Sequence, residues 1–454
     1  MRQRQHLNLA DRINAGVPFK PARRELYTFE AAGRLLTYDV NAMTLVAGKL
    51  GAQGAPVSCF RPDFPHPGAS EHVRHLVLYL TRRCNLRCHY CFVPHTDEGK
   101  SARMSSDTAR RAIEVLLPAH RSVTIAFFGG EPLLEWDRLT EVVEFAKQVY
   151  SGPGRPHFEV TTNGTLLDPA KVAFLDREGF DLMVSLDGPK DIHDRHRQTA
   201  SGEGSYDDAI AGLSQLRGRR LATRTTLQGI FTPGAMRLRD RLEHHHQLID
   251  DGLCAHVSLE PVFETDPDCA PNPAKAWSFS KSAVDWEAVE GEYQQAARYL
   301  ADRVRKRRRA SFEQLVRFVR RLAYRRPVCS ECEAGNGYAS VAPDGTIYAC
   351  HREGRSAIGD LAVGGIDESL RAKWLDNRFY LSLDCLDCPI RFVCGGHCRQ
   401  EALEWGHIHA PTVGDCRFRY IAFRWAAWLL SELSREGVAR LVGQRASTCC
   451  GQEG

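Results

Sequence analysis

Cysteines set close together in a chain can share a metal, and Cys84, Cys88 and Cys91 stand in the spacing C-x3-C-x2-C. Three thiolates so placed can hold three corners of a cubane iron–sulfur cluster and leave the fourth iron without a protein ligand, open for chemistry. A zinc knuckle, a redox pair or three buried thiols would use the same residues. A second group follows later. It comprises Cys329, Cys332 to Cys350 as C-x12-G-x4-C, Cys385, Cys388, Cys394 and Cys398 as C-x2-C-x5-C-x3-C, and Cys416. These thiolates suffice for two fully ligated four-iron clusters. The pairs Cys329/Cys332 and Cys385/Cys388 are also knuckle-like, although a zinc ribbon sets its pairs only about 15–20 residues apart. Cys59, Cys254, Cys269, Cys449 and Cys450 fit neither group and are assigned no metal.

Composition also asks for metal. The chain has 454 residues, 16 of them Cys. No run approaches the ~18 apolar residues of a membrane span. The start, Met1-Arg2-Gln3-Arg4-Gln5-His6, lacks the apolar core of a signal peptide. A cytoplasmic protein without membrane contact is therefore expected, and thiols in that compartment stay reduced rather than forming disulfides. A net charge of +4 on this length gives no pull toward nucleic acid. The basic run Arg305-Lys306-Arg307-Arg308-Arg309 reads as a solvated helix face. His244-His245-His246 also reads as surface, because consecutive helical residues diverge and cannot converge on one ion.

The elements that position these residues show in the periodicity. Apolar strands are expected at His75–Leu80, Val123–Phe127, Phe158–Thr161, Leu182–Ser185, Thr223–Ile230 and His256–Pro261. Amphipathic helices fall between them, at about Ser106–Leu117 with Ser105 as cap, Leu139–Tyr150, Asp168–Glu178 and Tyr206–Arg217, with one more before the last strand. Strands alternating with helices predict an α/β fold, a partial (β/α)6 TIM-like barrel whose strand C-termini share one face, where reactive groups gather. Gly129-Gly130-Glu131-Pro132 follows the second strand. Its glycines would admit a ligand close to the backbone, and its carboxylate can bind an ammonium. A tight turn starting a helix would select the same residues. Thr161-Thr162-Asn163-Gly164 ends the third strand and Ser185-Leu186-Asp187-Gly188-Pro189 the fourth; turn chemistry alone favours both. Outside the barrel, Glu25–Phe29 and Arg34–Asp39 predict a hairpin, and Gly51–Pro67 a linker. Two helices are expected between Trp286 and Tyr324, and a hairpin turning at Asp344-Gly345 delivers Cys350.

C-x3-C-x2-C followed by an aromatic, here Phe92, resembles the signature of the radical S-adenosylmethionine (SAM) superfamily. The second cysteine group resembles the SPASM extension of such enzymes. The resemblance implies three 4Fe–4S clusters. One, on Cys84, Cys88 and Cys91, binds SAM; two auxiliary ones use Cys329, Cys332, Cys350 and Cys398, and Cys385, Cys388, Cys394 and Cys416. It implies SAM contacts at Gly129, Gly130, Glu131, Pro132, Asn163, Ser185, Asp187, Arg197 and Leu227, with Tyr90 offering its backbone to the adenine. It further implies reductive cleavage of SAM to a 5′-deoxyadenosyl radical, fed by a donor such as flavodoxin or ferredoxin.

Tyr348-Ala349-Cys350-His351-Arg352 looks most like peptide-crosslinking members, including the maturase of the quinohemoprotein amine dehydrogenase small subunit. The expected substrate is a precursor peptide or small protein. The expected product is an intrapeptide crosslink, thioether before carbon–carbon. Sulfatase-maturing members, which make formylglycine, carry an Asp where this chain has His351, and His351 stands as the candidate proton acceptor. A zinc-bound, non-catalytic peptide-binding scaffold is the remaining alternative. The organisation expected is an N-terminal α+β extension over 1–70 that could bind a leader peptide by strand addition, the barrel over 71–265, a helical linker over 266–326, and the SPASM region with its C-terminal helix over 327–454.

Overall fold

The structure, a computed structural model, describes residues 26–40, 42–48, 70, 72–93, 103–118, 121–150, 155–262, 284–328, 330–375, 385, 388–396, 398–404 and 413–443. Six strands, β4 (His75–Thr81), β5 (Thr124–Gly129), β6 (His157–Thr162), β7 (Asp181–Ser185), β8 (Thr225–Phe231) and β9 (His256–Pro261), lie side by side in chain order. Every neighbouring pair is parallel. Parallel neighbours need a crossover, and helices α1 (Ser106–Leu116), α2 (Trp136–Val149), α3 (Pro169–Glu178), α4 (Tyr206–Ser214) and α5 (Leu238–Asp250) supply them. The fold is the partial TIM-like α/β barrel.

The local chemistry is visible at the helix ends. Ser105 caps α1 by accepting the Thr108 N–H at 3.0 Å, and Asp168 caps α3 by accepting that of Lys171 at 2.8 Å. Gly179, at φ +74°, ends α3. β4 is buried along its whole length and apolar from Leu76 to Leu80, whereas β6 alternates. Leu76, Leu78, Ile125, Phe127, Val160 and Val184 join the main core with the helices. Val77, Ala126, Tyr338 and Phe128 form a small second cluster, and strand alternation places it on the inner face.

Two helices, α6 (Trp286–Arg305) and α7 (Glu313–Tyr324), follow the barrel, and Arg305 to Arg308 at the end of α6 are exposed. The expected hairpin is β10 (Tyr338–Val341) and β11 (Thr346–Tyr348). It does more than deliver Cys350. β10 pairs parallel with β4, from Tyr338 opposite His75 to Val341 opposite Leu78. β12 (Ala357–Asp360) and β13 (Gly365–Ile366) continue outward, giving a ten-stranded sheet that crosses the boundary expected after residue 326. The pairing covers the edge that β4 would otherwise leave open.

β1 (Leu26–Ala31), β2 (Arg34–Asp39) and β3 (Thr44–Ala47) form a separate antiparallel sheet. The β1–β2 turn, Ala32-Gly33, has positive φ at both residues, as a two-residue hairpin requires. The sheet packs on α8 (Val413–Glu432) through Tyr27 against Tyr420 (ring centroids 5.4 Å apart) and Tyr38 against Phe423 (5.2 Å). The expected linker Gly51–Pro67 lies outside the described residues. Among the described residues, no helix is long and apolar enough to cross a membrane.

The histidine triplet on α5 corrects the surface reading. His245 and His246 are fully buried and His244 half-buried. His244 Nε2 meets the Tyr206 hydroxyl at 2.7 Å, His245 Nε2 the Leu186 carbonyl at 3.0 Å, and His246 Nε2 accepts the Ser311 N–H at 2.9 Å. The rings diverge as expected, but they tie α5 to the chain around it instead of meeting solvent.

Candidate functional site

Cys84, Cys88 and Cys91 are half-buried on the loop that leaves the C-terminal end of β4. The loop is pinned from one side. His89 N–H donates to His196 O (3.0 Å), Arg87 N–H to Gln198 O (2.6 Å), and Leu86 bridges Thr199. Burial pushes the Cys84 and Cys88 thiols up to about 12 each, and the thiols lie within electrostatic reach of one another. Arg87 and Arg197 offset the burial of these three crowded thiols only in part, and a bound metal would supply the further positive charge that thiolates need. The donor set therefore fits an iron–sulfur cluster.

The glycine pair after β5 does something sequence reasoning did not anticipate. A Cβ on Gly129 would lie 2.2 Å from Thr81 O, and one on Gly130 would lie 2.1 Å from Arg83 O. The chain entering the cysteine loop is thus what approaches these glycines. Gly130 N–H donates to Thr81 O and Glu131 N–H to Arg83 O, both at 2.8 Å. Pro132 opens a short 3-10 turn. Glu131 is fully buried and accepts from Leu133 N–H (3.0 Å), Thr162 Oγ1 (2.7 Å) and Asn163 N–H (2.8 Å). Burial, opposed only by these neutral donors, pushes its carboxyl up to about 7. Asn163 turns its amide to Asn85 Oδ1 (2.8 Å) in the cysteine loop. Ser185 is half-buried at the end of β7.

Asp187 and Arg197 meet each other. Asp187 is fully buried; Oδ1 accepts from Arg197 Nε and Ile230 N–H, both at 3.0 Å, and Oδ2 accepts the Tyr90 hydroxyl. Burial alone would raise this carboxyl, but Arg197, His193 and Arg241 outweigh it and hold it down at about 2. Arg197 also lies over the Tyr90 ring, 5.4 Å from its centroid. Tyr90 therefore contributes its side chain to an ionic lock beneath the cysteine loop, where only its backbone had been expected to act.

Leu227, expected among the SAM contacts, points toward the helices. It is fully buried in the core that β8 shares with the helices. Strand alternation turns the neighbouring Thr226 and Gln228 toward the inner face instead.

The second cysteine group divides into two sets, one at Cys350 beyond the added hairpin and one around Cys394, close to Arg321 and Arg419. Cys350 lies within electrostatic reach of Cys398 and Cys332, and Cys416 within reach of Cys394, Cys385 and Cys388. Cys329 lies outside the described residues, as do Cys59, Cys269, Cys449 and Cys450, while Cys254 is buried in the main core. Burial pushes the Cys388 thiol up to about 12 and that of Cys398 to about 11, so these donors also fit a metal that brings positive charge.

His351 is held on the inner face. Its Nδ1 lies 2.6 Å from the Tyr338 hydroxyl, and its ring meets Phe128 edge-on, with centroids 5.0 Å apart. Burial, with Arg352 and His75, drives its pKa down to about 3, so the imidazole is neutral and a weak proton acceptor. Sequence reasoning missed the buried pair Arg82–Glu353 (2.6 and 3.1 Å), which ties the start of the cysteine loop to the chain just past Cys350. Arg82 stands two residues before Cys84 and Glu353 three after Cys350, which was the only available signal.

Comparison with known proteins agrees with this arrangement. Residues 78–235 match the Radical SAM superfamily, so the chain carries a radical SAM domain. It is 26% identical over 385 residues to the radical SAM cyclopropyl synthase TigE of Paramaledivibacter caminithermalis, covering 76% of this chain and 72% of that protein. It is 29% identical over 147 residues to the cysteine-type anaerobic sulfatase-maturating enzyme of Clostridium novyi, covering 31% of this chain and 39% of that protein. The chain spans half or less of the length of the first curated relatives it matches. Native anSMEcpe with bound AdoMet and Kp18Cys peptide shares the fold at a TM-score of 0.65, with 16% identity over 79% of this chain and 98% of that one.

Proposed function

We propose that the chain is a radical SAM enzyme that forms an intrapeptide crosslink, a thioether in preference to a carbon–carbon bond, in a ribosomally made peptide or small protein. The observation that supports it most is the separation of the thiols into a three-Cys loop at the strand C-termini of a barrel and two further sets, one at Cys350 beyond the added hairpin and one around Cys394. Cys84, Cys88 and Cys91 would hold the SAM-binding cluster, and the two auxiliary sets a 4Fe–4S cluster each. When bound, these groups and SAM supply hydrogen removal from an unactivated carbon and an outlet for the remaining electron. The chain's own residues position and desolvate. Asp187, Arg197 and Tyr90 brace the cysteine loop, Asn163 orients Asn85 within it, and the Glu131 carboxylate offers its remaining lone pairs to the SAM ammonium. His351, held by Tyr338, faces the substrate side as an orienting group. β1 and β3, the outer strands of the small sheet, offer an edge to a leader peptide. A flavodoxin or ferredoxin in the cytoplasm would donate the electron.

Incubating the reduced protein with SAM and a candidate peptide without oxygen should lower the peptide mass by two hydrogens. Deoxyadenosine formed beside an unchanged peptide would count against the crosslink. Sulfatase maturation is the second reading, favoured by the similarity to the sulfatase-maturating enzymes. It would leave a hydroxylamine-reactive aldehyde at one Cys or Ser. Protein purified without oxygen should be brown and carry about twelve irons; a colourless, zinc-loaded chain would favour the scaffold.

A further inference from the structure

Glu331 lies one residue before Cys332, yet its contacts belong to the other auxiliary set. Its side chain is only 14% exposed and is surrounded by three guanidinium groups. Arg317 NH1 meets Oε1, Arg321 NH2 lies 3.0 Å from Oε2, and Arg419 NH1 lies 3.7 Å from Oε1. Two of these arginines also reach the chain at Cys394. Arg321 NH1 donates to Val393 O (2.9 Å) and Cys394 O (3.3 Å), and Arg419 NH1 donates to Cys394 O (3.4 Å). The next residue, Gly395, sits against the same carboxylate. A Cβ there would lie 2.8 Å from Glu331 Oε2 and 2.9 Å from Val328 Cγ1. Arg317 extends the network to Glu260 at the end of β9 (3.7 Å) and to Glu313 (3.8 Å).

An anion among three cations holds all of them in place, and the cations in turn hold Glu260 at the end of β9 and the backbone carbonyls of Val393 and Cys394. Removing the anion takes away the carboxylate that all three share: Arg317 keeps Glu260 and Glu313 and Arg419 keeps Asp415, while the buried Arg321 loses its carboxylate partner among the described residues. The segment they grip at Cys394 is a one-turn helix ending in a glycine, with little regular structure to hold it otherwise. Deleting Glu331 thus acts on the set that does not include its neighbour Cys332.

We propose that Glu331 is a positioning residue for the second auxiliary thiol set, fixing Cys394 through Arg321 and Arg419 so that Cys385, Cys388, Cys394 and Cys416 can bind a cluster together. The inference rests on the iron–sulfur reading above, and the two fail differently. Iron content of the wild-type protein tests that reading; the difference between variant and wild type tests this one. Glu331→Ala and the isosteric Glu331→Gln would be reconstituted without oxygen beside the wild type. Iron would be counted, and exposed thiols alkylated and mapped by mass spectrometry.

The expected result is a fall from about twelve irons to about eight per chain. New alkylation should be confined to Cys385, Cys388, Cys394 and Cys416. SAM cleavage without peptide should stay within about twofold of wild type. Arg321→Gln alone, which removes the donors to Val393 O and Cys394 O, should raise alkylation at Cys394 in the same way. Wild-type iron and alkylation in Glu331→Gln would overturn the proposal. Loss of iron from all three sets in both variants would overturn it too, because Glu331 would then support the fold as a whole.

Discussion

Two buried carboxylates at the C-terminal ends of the barrel strands make opposite use of the same burial. Asp187 and Glu131 both follow strands of the barrel, both are fully enclosed, and both accept three hydrogen bonds. Asp187 has a guanidinium at 3.0 Å and is held down at about 2; Glu131 has only neutral donors and is pushed up to about 7. Counting hydrogen bonds would call them equivalent. The net charge nearby separates them. Asp187 is an anion already spent on Arg197, a fixed part of the frame under the cysteine loop. Glu131 lacks a cation, and on the proposed reading the SAM ammonium is the one it awaits.

The largest expected effect comes from breaking the paired member. Asp187→Asn leaves Arg197 buried without its counter-charge, and one-sided removal from a buried pair costs about 3–5 kcal/mol. Urea denaturation should show it. The exposed pair Arg237–Asp191 gives the contrast, since Arg237→Ala should cost at most about 1 kcal/mol. Equal losses at the two sites would remove the reason for treating Asp187 as a special anchor. Next in size is Gly130→Ala. Its Cβ would stand 2.1 Å from a backbone carbonyl, which cannot swing aside as a side chain would. Overpacking of this kind costs about 1–3 kcal/mol. The displaced atom belongs to the cysteine loop, so iron loading at Cys84, Cys88 and Cys91 should fall along with stability.

Local sequence made some of this legible. β4 announced itself by unbroken apolarity, β6 by alternation, α1 and α3 by Ser105 and Asp168. The cysteine spacings separated two groups that the fold also keeps apart. What sequence reasoning missed depended on residues far apart in the chain. Nothing near Tyr338 says that β10 will pair with β4, and no spacing says that Tyr90, Asp187 and Arg197 will converge. His245 and His246 were misplaced because a polar triplet resembles a surface until its partners, Leu186 and Ser311, are known. Leu227 was assigned by resemblance, although strand alternation gives its side chain to the helices. Spacing along the chain identified which residues could do chemistry; the ion pairs that hold them are made across it.

The finest test of the comparison is a difference in pH dependence. In the folded chain Glu131 keeps its proton up to about pH 7, while its ordinary value is near 4.5. Between those values the folded state binds more protons than the unfolded, so the group's contribution falls as pH rises, and above pH 7 the full cost of ionising it in place is present. Asp187 runs the other way. Its stabilisation is complete above its ordinary value near 3.8 and is lost as pH falls toward 2. Glu131→Gln has no proton to lose at that site. Its stability relative to wild type should therefore climb between about pH 4.5 and 7 and level off beyond, whatever the amide costs at a fixed pH. Taking the difference matters because Glu159, also pushed up to about 7 by burial, titrates in the same window and cancels between the two chains. Urea melts of the metal-free, reduced proteins across that range would measure it. A flat difference would mean that Glu131 is ionised throughout, like Asp187, and that burial without a cation does not set it apart.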